Sequence, residues 1–582
     1  MRVFVPLLLF SAASAFVTKK SLIAPTSTTT SSARLATEIQ ESVRFRTGSN
    51  DASLSPTALH MTNVFSAARG AISPLMTPIA RRLLLVCGAA FLLLSKQYKR
   101  ILWPGSAPDP TSDAPLPPGS FGCPLFGSNL LAGSEDYGPN VFFDRRRKRL
   151  GNPTLFKFYA FGAPAVSVSG GDAIKVALKD EFQPDGINTM MVSDNFSQLF
   201  GKESILYESD KDKHGMLRRL VGAAMSPAAI TTAIPSIQAA ANNQIDRILA
   251  SDDTVIMEDV CNDFTLDVAW KTILGLDLKD DEVEEFREKV KGWISGMFNP
   301  LFLLPFSVPG IKRTKAFKGH EYLVSKVEEK LSKLDKDGPD GSTLSAMYFA
   351  TDEDDTDDTS RKLTRQQVID NSLILIFAGS ETSATTLTCA SLILGLHPGV
   401  WDKVKREQEL IQSEYGDDLT KASLDECTYL DSVLKEMLRI KPIEGMELRK
   451  TEKTLVIDGQ QVPRGWFVFN NVKETHINDP VTRKDDESHM DVRKGFDPDR
   501  WQNNATKPSA WLPFGEGGRR CLGERLAMTE MKIFLATMAR KVDYDLVNVG
   551  PGDKVKWKKI SAMARPLDGV EIKPKKAVPV AA

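Results

Sequence analysis

The sequence predicts a mainly α protein with a smaller β-rich lobe. Two observations carry this. Beyond Ser169 most segments repeat apolar residues at helical spacing, whereas Leu155–Ser169 (LFKFYAFGAPAVSVS) alternates around Gly162-Ala-Pro and is rich in aromatic and β-branched residues, as a β-hairpin is. At 582 residues the chain is long enough for one large catalytic domain plus a leader. Lys and Arg total 74 against 75 Asp and Glu, so charge gives no argument for nucleic-acid binding. Six cysteines, Cys87, Cys123, Cys261, Cys389, Cys427 and Cys521, lack C-x-x-C spacing, which argues against a disulfide framework or zinc site and suits a reducing compartment.

Residues 1–15 read as a signal peptide: an early Arg2, a short apolar run, and small residues ending Ala-Ser-Ala before Phe16. Residues 16–82 are rich in Ser, Thr, Ala and Arg and poor in acids, the composition of a transit segment. Together they resemble the bipartite leader of algae whose plastids lie inside extra membranes. That implies a plastid location; the alternative is an ordinary secretory signal with a spacer and an endoplasmic reticulum membrane location. Residues 83–100 read as a membrane anchor, since the apolar Leu83–Ser95 is flanked by Arg81, Arg82, Lys96, Lys99 and Arg100. This run is shorter than the ~17–25 residues of a comfortable span, so it crosses tilted or lies in the interface. Residues 101–124 are proline-rich and cannot be helical, so they are expected to act as a stiff hinge before a catalytic domain at 125–582.

Within that domain Asp194–Glu208 is expected to be a loop, and His214-Gly-Met-Leu-Arg218 to open a helix. His214 and Arg218, four residues apart, share a face that could meet an anion or be merely solvated. Three prolines break the apolar Trp293–Gly310 run, which is expected to meet a membrane or ligand entrance, or to be a buried loop. Asp352–Asp358 reads as a solvated acidic linker.

Val368–Leu396 reads as a long apolar helix interrupted at Ala378-Gly-Ser-Glu381-Thr382-Ser383. There Gly379 and the hydroxyls are expected to loosen the helical bonding and open a groove. Glu381 and Thr382 put an acid and an alcohol on an otherwise apolar helix, a pair that can relay protons through water; the alternative is a kinked core helix with solvent-facing polar groups. Tyr429–Ile440 carries Glu436 and Arg439 at i, i+3, where they can pair on one face. Arg449 then precedes two expected strands, Thr454–Ile457 and Trp466–Asn470, joined by Asp458-Gly and Pro463-Arg-Gly turns.

The stretch Phe514-Gly-Glu-Gly517-Gly-Arg519-Arg-Cys521-Leu-Gly523 leads into an expected helix, Glu524–Arg540. A thiolate at a helix start faces unpaired backbone N–H groups and the positive end of the helix dipole, which should lower its pKa. Gly517 and Gly523 allow tight turns beside something flat, Arg519 offers a cation, and Phe514 can shield the sulfur. A haem with propionates and one thiolate ligand would use all of these. The alternative is an inert buried cysteine beside a helix cap.

These residues resemble a known family. Phe514, Gly517, Arg519, Cys521 and Gly523 match F-x-x-G-x-R-x-C-x-G, the haem signature of the cytochromes P450, and the resemblance runs from roughly Pro115 to Pro574. It implies the cytochrome P450 fold, haem b whose iron takes an axial thiolate from Cys521, and monooxygenation of an apolar small molecule. Electrons would come from NAD(P)H through a ferredoxin or an NADPH-cytochrome P450 reductase. Ala378–Ser383 resembles the family's [AG]-G-x-[DE]-T-[TS] oxygen-activation motif at every position, which assigns Glu381 and Thr382 to catalysis. Glu436, Arg439 and Arg500 resemble its Glu–Arg–Arg structural triad. His214, Arg218 and Arg449 resemble propionate-binding positions, the first two only in part.

The run Pro463-Arg-Gly-Trp-Phe-Val…Glu474-Thr-His476 is most similar to the branch with retinoic acid hydroxylases, cyanobacterial relatives and plant brassinosteroid and abscisic acid oxidases. Where that branch often has an apolar Pro-Val-Gly-Gly-Gly stretch, this chain has Pro442-Ile-Glu444-Gly-Met-Glu447, close to the expected substrate pocket. Two other functions use a haem-thiolate site: isomerisation or dehydration of a lipid peroxide, and non-catalytic haem binding at a membrane. The first usually lacks the acid–alcohol pair and lengthens the cysteine loop, and the second has no use for Glu381-Thr382.

Overall fold

The computed structural model describes residues 103–122, 139–160, 162–183, 187–189, 194–297, 310, 314–352, 362–550, 552–558 and 563–577. The signal, transit and anchor expectations lie outside them, as does nearly all of 298–313. From Gly105 onward the described residues belong to one compact unit.

Six helices position the site: α1 (Lys211–Ala223), α2 (Pro227–Leu249), α3 (Met257–Val268), α4 (Arg365–Leu396), α5 (Thr428–Ile440) and α6 (Glu524–Lys541). Their starts follow from capping. The Asp210 carboxylate accepts from the backbone N–H of Asp212 and Lys213, Ser226 caps α2 ahead of Pro227, and Thr364 forms a reciprocal box with Gln367 at the head of α4. Each such cap contributes ~1 kcal/mol.

Helix α4 is apolar on all sides because it is the core helix, with Val368, Leu373 and Ile376 buried toward one half and Leu387, Leu392 and Ile393 toward the other. It packs against α3, and α6 packs against α2 and α5. Among the described residues α4 is the one single helix long and apolar enough to cross a membrane, and it is mostly buried in protein.

The β lobe holds five strands: β1 (Leu155–Ala160), β2 (Ala163–Val168), β3 (Ile187–Thr189), β4 (Met446–Thr451) and β5 (Phe467–Asn471), ordered β1-β2-β5-β4-β3. The expected hairpin is present, with Leu155 opposite Val168. Strand β4 runs antiparallel to both neighbours, with Arg449 opposite Val468 on one side and Thr189 on the other.

Several elements differ from expectation. Asp194–Phe200 is a helix, not a loop. Arg449 sits inside a strand rather than ahead of one, because residues 446–451 complete the sheet edge that β5 leaves open. Leu455–Ile457 pairs not with β5 but with Gln460–Val462, across Asp458-Gly459, both at positive φ as a two-residue hairpin turn requires. Asp352, expected in a solvated linker, is buried and accepts from Arg219 Nε at 3.0 Å; the rest of that linker lies outside the described residues. Helix α4 is not interrupted: the Ser380 and Thr382 hydroxyls donate back to the carbonyls of Ile376 and Ala378, so they join the helical bonding instead of breaking it. The proline-rich residues after Gly105 lie on the lobe, where Pro115 and Pro118 carbonyls accept from the backbone N–H of Gln461 and Lys157.

Candidate active site

The cysteine loop is held by its own backbone and by two glycines. Cys521 N–H donates to the Phe514 carbonyl at 2.8 Å, and Arg520 N–H to that of Gly517 at 3.2 Å. Gly515 and Gly517 stand at φ +78° and +77°, where a side chain would strain the turn. Gly523 has an ordinary φ of −86° as the cap of α6, so the tight-turn role expected of it falls to Gly515. Phe514 packs edge-on against Trp511.

Cys521 is exposed, yet burial by surrounding protein pushes its thiol pKa up. A side chain that is accessible and dehydrated together lies on the wall of an interior cleft. The rise corrects the expected lowering: desolvation outweighs the downward pull of the Gly523 N–H and of Arg218. A bound cation reverses this balance, since a coordinating thiol loses its proton outright.

Four positively chargeable groups gather at this wall. His214 is buried with its ring 4.2 Å from that of Phe182, and burial with Arg519 and Arg218 lowers its pKa to about 4, so it is neutral. Arg218 lies on the next turn of α1, where burial lowers its pKa and the nearby Cys521 and Glu181 partly offset that. Arg449 projects from β4 and donates through Nε to Glu181 at 2.7 Å. Arg519 stacks 4.5 Å from the centre of Phe182 and donates to the carbonyls of Ile205, Leu206 and Glu208. Its Nε is buried without a hydrogen-bond partner.

Glu181 was not legible in the sequence. It joins Arg449 to the cysteine loop by accepting from Gly518 N–H at 2.8 Å, and no motif marks it.

Helix α4 opens onto accessible space midway along its buried length: Ala378 is exposed and Gly379, Glu381 and Thr382 are half-buried. Thr382 Oγ1 lies 2.6 Å from the Ala378 carbonyl. The Glu381 carboxylate pairs with Arg565, whose other terminal nitrogen reaches Glu258 of α3 at 3.2 Å. Arg565 sits in a C-terminal strand-like segment with Met563 bridged to Glu444, and the sequence carries no signal for either contact.

The triad residues meet one another. Glu436 and Arg439 are both 0 % exposed, with two nitrogen–oxygen distances of 2.9 Å. Arg500 Nε donates to Glu436 Oε1 at 2.9 Å and Trp501 Nε1 to Oε2 at 3.0 Å. Every lone pair of the carboxylate is engaged, which is the condition under which a buried charge is tolerable; removing one partner of such a pair costs about 3–5 kcal/mol.

An accessible thiol at a helix head, and an acid and an alcohol where the core helix is exposed, are parts that a haem-thiolate oxygenase needs. Residues 117–569 match the cytochrome P450 family, and the chain belongs to it as a cytochrome P450 monooxygenase. It is 27 % identical over 465 residues to cytochrome P450 26A1 of Gallus gallus, covering 77 % of this chain and 89 % of that one. It is 28 % identical to abscisic acid 8'-hydroxylase 1 of Arabidopsis thaliana, covering 76 % and 88 %. A solved structure described as retinoic acid bound cyanobacterial CYP120A1 superposes with a TM-score of 0.66 at 24 % identity, covering 80 % of this chain and all of that one, which shows the fold.

The residues present fit haem. The unpaired Arg519 Nε and the cations of Arg218 and Arg449 suit propionates, and Gly518 leaves the loop close to Phe182, whose ring a Cβ there would meet at 2.7 Å.

Proposed function

We propose that Cys521 is the axial ligand of haem b, and that the chain oxygenates an apolar substrate of sterol, retinoid, carotenoid-derived terpenoid or fatty-acid type. The observation that carries this is Cys521 itself, accessible yet dehydrated at the head of α6 with Arg218 beside it. His214, Arg218, Arg449 and Arg519 would hold the propionates, while Phe514, Gly517 and Gly523 shape the loop around the sulfur. Haem bound there supplies O₂ activation, so that one oxygen atom enters a C–H bond.

The protein's own part is protonic and positional. Thr382 presents a hydroxyl to the cleft and Glu381 a carboxylate steadied by Arg565, so protons can pass from solvent along α4. Glu436, Arg439 and Arg500 brace the segment before the cysteine loop. Electrons would derive from NAD(P)H through a ferredoxin or NADPH-cytochrome P450 reductase.

Cys521→Ser tests the ligation: the variant should lack the red-shifted reduced carbon-monoxide band of a thiolate-ligated haem, and an unchanged band would refute it. The same reading takes residues 1–15 as a signal peptide, 16–82 as a transit segment, 83–100 as a membrane anchor and 101–124 as its hinge, with the protein on a plastid membrane. Residues 1–82 fused to a fluorescent reporter should then reach the plastid of a complex-plastid alga; retention in the endoplasmic reticulum would favour the secretory alternative.

A further inference from the structure

Glu444 shares the signature of Cys521. It is exposed, yet protein surrounds it and burial raises its carboxyl pKa, so it too lines an interior cleft. Three contacts place it. Three residues on, the Glu447 carboxylate lies against Gly515 of the cysteine loop. Its backbone is bridged to Met563, and Met563 Sδ lies 3.8 Å from Thr385 Oγ1, one turn beyond Glu381 and Thr382 on α4. The Glu444–Glu447 stretch therefore runs from beside the turn of α4 that follows Glu381 and Thr382 to the cysteine loop, along the space a substrate would enter on the haem-thiolate reading.

Among the described residues no cation answers it: Arg449 is engaged by Glu181, Lys441 lies 4.0 Å over the ring of Trp557, and none makes a hydrogen bond or ion pair to the Glu444 side chain. A second acid stands nearby: Glu447 packs against Gly515 of the cysteine loop, and the charges of Glu444 and Glu447 act on each other. A dehydrated carboxyl without a partner is costly, and the cost is relieved when a ligand brings a hydrogen-bond donor. A ligand carboxylate brings no donor and would add negative charge where burial already makes Glu444 and Glu447 hard to ionise.

We propose that Glu444 determines specificity: it receives an apolar substrate through a neutral hydroxyl group and turns away the corresponding carboxylic acid. This rests on the haem-thiolate reading of Cys521. It separates the chain from relatives and neighbours whose names carry abscisic or retinoic acid, and it gives a role to the Glu444–Glu447 stretch that stands where the branch is often apolar.

The test uses purified holoenzyme at pH 7.5 with three matched pairs: retinol and retinoic acid, farnesol and farnesoic acid, hexadecanol and hexadecanoic acid. Binding is read by tryptophan fluorescence quenching and by the ligand-induced shift of the haem Soret band. At least one alcohol should bind about tenfold or more tightly than its acid. Glu444→Gln, which keeps a hydrogen-bond acceptor without the charge, should retain alcohol binding and gain acid binding. Glu444→Val should lose the preference to within about twofold. An acid preferred in the wild type, a ratio unchanged in both variants, or failure of every alcohol to bind overturns the proposal. The reduced carbon-monoxide band of each protein keeps the two readings apart: its absence sinks the haem-thiolate reading, while fluorescence still measures the preference.

Discussion

Arg565 and Glu381 form an ion pair that ties the C-terminal segment to the middle of the core helix. Because the same guanidinium also holds Glu258 of α3, the acid of the acid–alcohol pair is fixed in position rather than free to turn. The bonding of α4 around it is regular, so the pair, not a break in the helix, sets where this carboxylate points.

Arg565→Met should therefore lower product formed per NADPH consumed by about tenfold, less than loss of the acid itself, while haem content and substrate binding persist. The double variant Arg565→Met/Glu381→Gln should lose no more than Glu381→Gln alone, since both changes act on one carboxylate. Additive losses would show that Arg565 acts elsewhere. The measurement is NADPH consumption, peroxide release and product in one reconstituted reaction.

His476 predicts an acid limb to stability. Its Nε2 accepts from Leu512 N–H at 3.1 Å, so Nδ1 carries the proton and donates to the Arg439 carbonyl at 2.9 Å; a second proton would break the first bond. Burial lowers its pKa to about 4 from 6.5. With the folded value below the unfolded one, the stabilisation is complete above pH ~6.5 and lost as pH falls toward 4, by ~3 kcal/mol at 1.36 kcal/mol per unit. Urea unfolding at pH 7, 5.5 and 4 should show the wild type losing about that much more than His476→Gln. Equal slopes would mean the ring is protonated without cost.

What was legible in the sequence was local. The cysteine loop, the acid–alcohol turn and the i, i+3 pair are short and contiguous, so Cys521, Thr382 and Glu436 could be assigned from their resemblance to the family's motifs, although spacing by itself left the last two open. Glu181, Arg565 and Met563 reach Arg449, Glu381 and Thr385 across 178 residues or more, set by chain packing that leaves no mark on the local pattern. The same limit explains the error over the thiol: its rise comes from desolvation by distant segments, whereas the sequence shows only the helix start. Residues 446–451 were missed as a strand because Glu447, Arg449 and Lys450 interrupt the apolar alternation that marks a sheet surface, and pairing on both edges overrides it.

Thr382 carries the last prediction. Its hydroxyl is one of two polar groups that α4 presents where it opens to the cleft, and donating to the Ala378 carbonyl leaves the oxygen lone pairs free to accept a hydrogen bond from water. Thr382→Ala removes that acceptor and its donor but not the helix, because the backbone bonds of α4 do not depend on it. Haem and substrate should still bind, while NADPH consumption continues and peroxide replaces oxygenated product. General acid–base groups contribute ~10²–10⁴ in rate, and a water can take the place of a lost hydroxyl, so product per NADPH should fall toward the low end of that range. Thr382→Ser, which keeps the hydroxyl and loses only a methyl group, should recover most of the coupling. Full coupling in Thr382→Ala would mean that the hydroxyl only completes the helix and that protons reach the cleft by another path.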